Sequence, residues 1–160
     1  MKPNIGLDDQ NREGAIEILN ILLADEYVLY TKTRNYHWNV RGRHFNDLHK
    51  FFQQHYEQLE IIIDEVAERA RTIGGHAVGT LIEFTQKTRL KETAKECPEA
   101  WDMVKNLLND QETIIRNLRV DLKTCDEKYN DMGTSDFLTG LMKQHEKMAW
   151  MLREFLKATS

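Results

Sequence analysis

The sequence is poor in residues that interrupt helices, with only 8 glycines and 2 prolines among 160 residues. Such a composition disfavours a turn-rich β-fold and suits a few long helices. Cysteine is equally scarce, since Cys97 and Cys125 are the only two and form no Cys-x-x-Cys pattern. This argues against a disulfide framework or a thiolate zinc site and predicts two free thiols.

Long apolar runs and excess positive charge are also missing. The most apolar runs, such as 16–24, are far shorter than the roughly 18–20 residues that a membrane span needs, and the N-terminus lacks a basic region followed by an apolar one. We therefore expect a cytoplasmic protein with no membrane partner. The 22 Lys and Arg against 26 Asp and Glu give a net charge of −4, which disfavours a protein that mainly grips phosphates.

Apolar residues recur at spacings of three and four in four long segments, as expected of helices buried on one face. The predicted helices cover about 7–39, 44–73, 98–126, and a last segment from 134 or 135 almost to the C-terminus. Local signals mark their ends. Asp8 or Asp9 can cap the start of the first helix, and Gly74 and Gly75 can end the second. Pro98 suits the first turn of the third helix, and Thr134 or Ser135 can cap the start of the fourth.

The connection between the second and third helices is long, from Gly75 to Pro98, and holds one short amphipathic piece at 80–86. Its length allows it to cross the bundle and link two parallel helices. The sequence therefore predicts an all-α fold, a ferritin-like four-helix bundle with a short crossover helix, as a single domain over residues 1–160. Other crossover bundles share this outline, so the fold alone does not establish a function.

Candidate metal ligands lie on the second helix. His49 and Gln53 are four residues apart, and so are Asp64 and Glu68, so each pair occupies one stripe of the helix. Imidazole combined with carboxylate suits iron, zinc or manganese. However, the fifteen residues from His49 to Asp64 correspond to about 22 Å along the axis, so one copy of the helix cannot close a site.

Two copies of this helix, packed antiparallel across a two-fold axis, offer one solution. His49 then faces Glu68, and Gln53 faces Asp64, because both pairs are centred between 58 and 59. The simpler alternative is a solvated helix face whose acidic residues are balanced by basic ones such as Arg69 and Arg71. Likewise, an isolated histidine such as His49 or His55 is more often a surface or capped residue than a ligand.

The motifs at 36–42, 45, 48–49, 63–69 and 73–75 resemble, in order and spacing, the signature of the Dps family of mini-ferritins. They read Tyr-His-Trp-Asn-Val-Arg-Gly, Phe, Leu-His, Ile-Asp-Glu-Val-Ala-Glu-Arg and Ile-Gly-Gly. The resemblance covers all four helices. It implies a cytoplasmic iron-storage protein that assembles into a hollow dodecamer and oxidises ferrous iron with hydrogen peroxide.

The resemblance also implies an intersubunit ferroxidase centre with the ligands His37, His49, Asp64 and Glu68. The position of Gln53 usually holds an acidic ligand in the family. A neutral amide binds cations more weakly than a carboxylate, so we expect a weaker or water-bridged second iron position. Zinc is expected to be able to substitute for iron at such ligands.

Further roles follow from the same resemblance. Trp38 is expected to be oxidised in place of DNA if a radical forms, although it also suits a hydrophobic anchor at the end of its helix. The acidic segment before the last helix is expected to line an iron-entry pore, with Asp126, Asp131 and Asp136 as candidates. Glu57, Glu60 and Glu65 are candidates for carboxylates that face the cavity and nucleate ferric oxide.

Two other functions remain open. Some family members compact DNA through a lysine-rich tail, but residues 1–13 carry Lys2 and Arg12 against three acidic residues, and the segment after Phe155 offers only Lys157. Such tails give little attraction to phosphate, so DNA binding by a basic tail is not expected. A purely structural helical oligomer with acidic, solubilising faces is the third reading.

Overall fold

Within residues 3–157 the computed structural model contains five α-helices and no strand. The outermost residues of the two tails considered for DNA binding, 1–2 and 158–160, lie outside this described part. The helices are α1 (Asp9–Asn39), α2 (Phe45–Thr72), α3 (Leu81–Lys87), α4 (Ala100–Lys123) and α5 (Met132–Lys157).

The four long helices form a bundle of two hairpins. α1 packs mainly on α2 and α4 mainly on α5, while the short α3 in the crossover lies against α1. The apolar stripes of the long helices meet in one core, whose largest fully buried members are Leu19, Leu22, Leu29, Phe52, Leu59, Ile62, Leu107 and Ile114. This arrangement confirms the predicted crossover bundle.

Both cysteines are free thiols. Cys97 is exposed, whereas Cys125 lies in the core, where burial raises the pKa of its thiol to about 12. Because the thiolate is the reactive form, Cys125 acts as a small apolar residue rather than as a nucleophile.

Two of the predicted helix ends are confirmed. The side chain of Asp8 accepts a hydrogen bond from the backbone N–H of Asn11, 2.8 Å away, and so caps the start of α1. Gly74 follows α2 with a φ of 87°, a conformation that glycine adopts without strain. α2 therefore ends next to the Gly74-Gly75 pair, as the sequence predicted.

The other two predicted starts are wrong by two and three residues. α4 begins at Ala100 with Glu99 in the capping position, so Pro98 precedes the helix. α5 begins at Met132 rather than after Thr134, because the carboxylate of Asp131 accepts the backbone N–H of Thr134 at 2.9 Å. The capping residue is thus an aspartate three residues upstream of Thr134.

The end of the third long helix also differs from the prediction. α4 stops at Lys123, and a π-helical turn, Thr124–Lys128, carries the chain to Tyr129. The Tyr129 ring fills the space beside Gly14 of α1, so no side chain fits there. The wider turn positions this ring against α1, which ties the α4–α5 connection to the first helix.

Buried ion pairs hold the crossover against the bundle. The guanidinium of Arg89 lies 2.7 Å from the carboxylate of Asp25 on α1 and 2.9 Å from that of Asp121 on α4. In a second ion pair, the Lys32 ammonium contacts Asp110, and it also donates a hydrogen bond to the backbone carbonyl of Lys91.

Among residues 3–157, none of the helices combines the length and the apolar character that a membrane span requires.

Candidate metal centre

Two of the predicted ligands meet where α1 ends and α2 begins. The imidazole rings of His37 and His49 stack with their centroids 3.8 Å apart and their planes 22° from parallel. Each Nδ1 lies 2.8 Å from the backbone carbonyl oxygen of the other histidine. The short connection 40–44 therefore locks the two rings into a reciprocal pair.

These hydrogen bonds fix which ring nitrogens are available. A carbonyl oxygen can only accept, so Nδ1 of both His37 and His49 must carry the proton and donate it. In the neutral imidazole the lone pair then lies on Nε2, which is the form in which histidine ligates metal. Hydrogen bonding of the second nitrogen to a carbonyl is the usual way in which a ligating histidine is oriented.

Aromatic neighbours restrain the pair further. Phe45 stacks on His49 with centroids 5.0 Å apart, and Tyr56 meets His37 edge-on at 5.2 Å. His37 is buried and His49 half-buried. The two Nε2 atoms are therefore presented by a rigid base rather than by mobile surface side chains.

Gln53 lies one turn beyond His49, and its amide orientation is defined. Its Nε2 donates to the Glu57 carboxylate at 2.7 Å, which leaves Oε1 as the atom able to face a cation. An amide oxygen carries no net charge, so this position attracts a cation less than aspartate would. The expectation of a weaker second position is consistent with this geometry.

The predicted carboxylate ligands lie at the opposite half of α2. Asp64 and Glu68 are exposed and one turn apart, and fifteen residues of helix place Asp64 about 22 Å from His49 along the axis. Within residues 3–157 of one subunit, no three His, Cys, Asp or Glu side chains are already gathered at metal-binding distance. The histidines and carboxylates thus form two separate half-sites.

A largely apolar groove lies beside the carboxylate half of α2. It runs between α1 and α2 beside Asp64 and is lined by Tyr27, Tyr30, Ile63 and the 61% exposed Ile61. The groove therefore places apolar surface beside the predicted ligand Asp64.

Trp38 is 64% exposed and does not anchor the helix end in the core. The guanidinium of Arg34 lies over its ring, 5.3 Å from the centroid, and also over the Tyr56 ring at 4.9 Å. The hydrophobic-anchor reading is thus wrong for the isolated subunit. Its assigned role as an oxidisable residue stays a prediction.

The three pore candidates have different environments. Asp126 and Asp136 are exposed, whereas Asp131 is buried, caps α5, binds the Thr134 hydroxyl and contacts the Arg69 guanidinium. A carboxylate with these partners is not free to attract passing cations. The prediction that Asp131 lines a pore therefore disagrees with its placement, while Asp126 and Asp136 remain candidates.

Replacing Asp131 by alanine is expected to lower the free energy of unfolding by about 1–2 kcal/mol, because the α5 cap is lost. Asp136→Ala, which removes an exposed carboxylate from the same helix, should change it by no more than about 0.5 kcal/mol. Urea denaturation followed by circular dichroism measures both. Equal effects of the two variants would contradict the capping assignment.

A buried polar cluster at the middle of the bundle was missed by the sequence analysis. It contains one residue from each long helix, all nearly inaccessible: Glu26, His55, Gln111 and His145. The interpretation of His55 as a surface or capped histidine is therefore wrong. Burial, and secondarily the nearby His145, lowers the pKa of His55 to about 4, so its ring is neutral at pH 7.

A sequence signal for this cluster exists. Each member interrupts the apolar stripe of its helix, as Glu26 does between Leu22 and Leu29, and His145 between Leu141 and Met148. A single polar residue in such a stripe is usually paired with another. The sequence could not show that four such interruptions meet at one level.

Comparison with known proteins agrees with this fold. The family model described as a ferritin-like domain matches residues 16–160. The chain is 49% identical to an uncharacterised low temperature-induced protein of Nostoc, over 96% of this chain and 86% of that protein. It is 39% identical to DNA protection during starvation protein 2 of Bacillus anthracis, over 88% of this chain and 95% of that protein.

Among solved structures, DpsC from Streptomyces coelicolor superposes with a TM-score of 0.93 and 31% identity, over 98% of this chain and 90% of that chain. The fold and the matching relatives define this chain as a ferritin-like protein. Within that class it belongs to the family of DNA protection during starvation proteins, the Dps family.

Proposed function

We propose that the protein is an iron-storage ferroxidase of the Dps type, whose centres form between two subunits. The observation that carries the proposal is the paired presentation of two Nε2 lone pairs, from His37 at the end of α1 and His49 near the start of α2, together with the exposed Asp64 and Glu68 farther along α2. Neither half-site alone offers enough ligands for an iron ion.

A second copy of α2 completes the site if the helices cross antiparallel about a point between residues 58 and 59. His49 of one subunit then faces position 68 of the other, and Gln53 faces position 64. A two-fold axis repeats the arrangement, which gives two equivalent centres for each pair of subunits. The exposed Ile61 beside this stripe supplies apolar surface for the contact.

At each centre iron is the substrate. Two ferrous ions give one electron each to hydrogen peroxide, so 2 Fe²⁺ + H₂O₂ + 2 H⁺ become 2 Fe³⁺ + 2 H₂O. The histidine pair and the facing carboxylates hold the ions, and the carboxylates offset the rising charge of the oxidised iron. Zinc can occupy the same nitrogen and oxygen ligands but cannot be oxidised.

A dodecameric shell in the cytoplasm would collect ferric oxide, with Asp126 and Asp136 near its entry pores. Consumption of iron and peroxide would protect DNA against oxidative stress without contact. The net charge of −4 gives no support for direct compaction of DNA.

The test compares ferrous oxidation by the wild type and by His49→Ala combined with Asp64→Ala, with peroxide and, separately, with oxygen. Loss of outer ligands alone commonly costs 10–100-fold in metal affinity or activity, so loss of direct ligands should slow the peroxide reaction by at least about 100-fold. A matched control, His76→Ala combined with Glu13→Ala, removes exposed groups of the same types and should retain the wild-type rate. A wild type no faster than buffer would contradict the proposal.

Replacing Gln53 by aspartate is expected to strengthen the second iron position by at least about tenfold, since a charged ligand replaces a neutral one. Anaerobic calorimetric titration with Fe²⁺ should show the weaker binding phase tighten. Gln54→Asp adds the same charge one residue along, on another face of α2, and should leave both phases unchanged. Tightening by both variants alike would indicate a general charge effect and no role for position 53.

A further inference from the structure

A polar cavity lies between α1, the crossover and α4, apart from the candidate metal centre. Its volume of about 290 Å³ is close to the lower end of the range for small-molecule sites, which is about 300–1,000 Å³. Among the described residues that line it, only Pro98 lacks a polar side chain. The wall residue Tyr36 contacts Asn106 on α4, whereas its neighbour His37 contacts His49 on α2. The cavity and the histidine pair therefore lie on different sides of α1.

The hydroxyl of Tyr36 is a buried donor without an acceptor. Tyr36 is only 6% exposed, and its oxygen accepts a hydrogen bond from the amide nitrogen of Asn106 at 3.1 Å. Burial raises the pKa of Tyr36, so the hydroxyl keeps its proton at pH 7. Within residues 3–157 no group is placed to accept that proton. A buried donor left unpaired is unfavourable, and a bound water or ligand is the usual explanation of such a group.

The ammonium of Lys32 supplies a second donor, and its side chain is 11% exposed. Two of its three N–H groups are used by the Asp110 carboxylate and the backbone carbonyl of Lys91, both of which belong to residues that line the cavity. The third N–H has no acceptor in the described part of the chain. Because Asp110 neutralises Lys32, this N–H can orient a ligand without holding an anion strongly.

Side-chain amides and carboxylates complete the wall. The amide of Asn109 makes no hydrogen bond to other described residues, so it offers both a donor and an acceptor. Asn106 uses its nitrogen for Tyr36 and keeps its oxygen as an acceptor. Glu92 and Glu96 are exposed and add carboxylate acceptors. The wall thus presents donors and acceptors together within one small volume.

We propose that this cavity binds a small, uncharged, polyhydroxylated molecule, namely a monosaccharide or a polyol. Each hydroxyl group of such a ligand both donates and accepts, which matches the mixed wall. The two carboxylates of Glu92 and Glu96 outweigh the exposed Lys91 and disfavour an anion, while the buried Lys32 ammonium disfavours a cation. An aromatic or lipid-like ligand would gain little, because the wall offers little apolar surface to cover it.

The ligand satisfies the two donors that the protein leaves unpaired. One or two of its oxygens accept from the Tyr36 hydroxyl and the Lys32 ammonium, and its own hydroxyls donate to the Asn106 oxygen and to a carboxylate of the wall. These hydrogen bonds replace hydrogen bonds to water, so each contributes modestly to binding. We therefore expect a dissociation constant on the order of 1 mM.

The experiment titrates the full-length, metal-free protein with glucose and with myo-inositol. Saturation-transfer difference NMR detects ligand protons that contact the protein, and isothermal titration calorimetry gives the dissociation constant. At least one of the two should bind saturably, and the other should compete with it if it binds too. Inorganic phosphate and putrescine, a small anion and a small dication, should bind at least about tenfold more weakly, because charges of both signs face them in the cavity.

Two variants locate the binding site. Tyr36→Phe removes only the hydroxyl and should weaken binding by about five- to tenfold, the effect of one lost hydrogen bond. Tyr129→Phe removes the same group from the α4–α5 connection, outside the cavity, and should leave binding unchanged. Asn109→Ala should weaken binding similarly, whereas Gln86→Ala, which removes an exposed amide from α3, should not. Circular dichroism reports whether each variant is folded, and Asn109→Ala decides the question if Tyr36→Phe does not fold.

Three outcomes would overturn the proposal. Absence of saturable binding of both probes up to about 50 mM, far above the expected dissociation constant, would leave water as the occupant of the cavity. Tighter binding of phosphate or putrescine would contradict the ligand class. Equal effects of Tyr36→Phe and Tyr129→Phe would place the binding elsewhere. The titration contains no iron, so its result is independent of the ferroxidase assignment.

Discussion

Arg89→Ala is expected to lower the free energy of unfolding by about 3–5 kcal/mol, the usual effect of removing one partner from a buried ion pair. The carboxylate of Asp25 is fully buried and receives the Arg89 side chain at 2.7 Å. Without the guanidinium, Asp25 keeps a buried charge with few donors, and Asp121 loses its cation. Chemical denaturation followed by circular dichroism, at fixed protein concentration, measures the change.

Arg119→Ala provides the matched control. Arg119 also pairs with a carboxylate, that of Glu146, but both side chains are largely exposed. Exposed pairs contribute only about 0–1 kcal/mol. If Arg89→Ala were no more destabilising than Arg119→Ala, the buried ion pairs of Arg89 would contribute no more to stability than an exposed pair does. Limited proteolysis should also cut the crossover, residues 88–99, sooner in Arg89→Ala than in the control.

Hydrophobic periodicity was sufficient to predict the four long helices. Apolar residues recur at regular spacings over many turns of α1, α2, α4 and α5, and these residues form the core in the folded chain. The spacing therefore predicted all four helices. Boundaries that depend on single side chains were harder to predict. Asp131 caps α5 from a turn in which Asn130 has a φ of 52°, and nothing in the local sequence marks it over Thr134.

The candidate metal centre was only partly predictable. Helix rise alone shows that His49 and Asp64 cannot share an ion within one chain. The reciprocal hydrogen bonds between His37 and His49 depend on the path of the connection 40–44, which no periodicity describes. The cluster around Glu26 depends on how four helices align in register. Interruptions of apolar stripes reveal such residues singly, and only packing shows that they meet.

His55 is expected to make the protein acid-sensitive. Its pKa is about 4 in the fold, chiefly because of burial, and about 6.5 when unfolded. Between these values the unfolded chain binds more protons, so stability is retained above about pH 6.5 and lost as pH falls towards 4. From pH 7 to 4.5 this single group should remove about 2–3 kcal/mol from the free energy of unfolding.

The measurement is urea denaturation at pH 7 and pH 4.5. His55→Leu, which keeps an apolar side chain against Phe51, should lose about 2–3 kcal/mol less than the wild type over this interval. His76→Leu removes an exposed imidazole and should keep the wild-type difference. If His55→Leu loses as much stability as the wild type, the acid sensitivity arises elsewhere, and His55 must find a proton-accepting partner when it is charged.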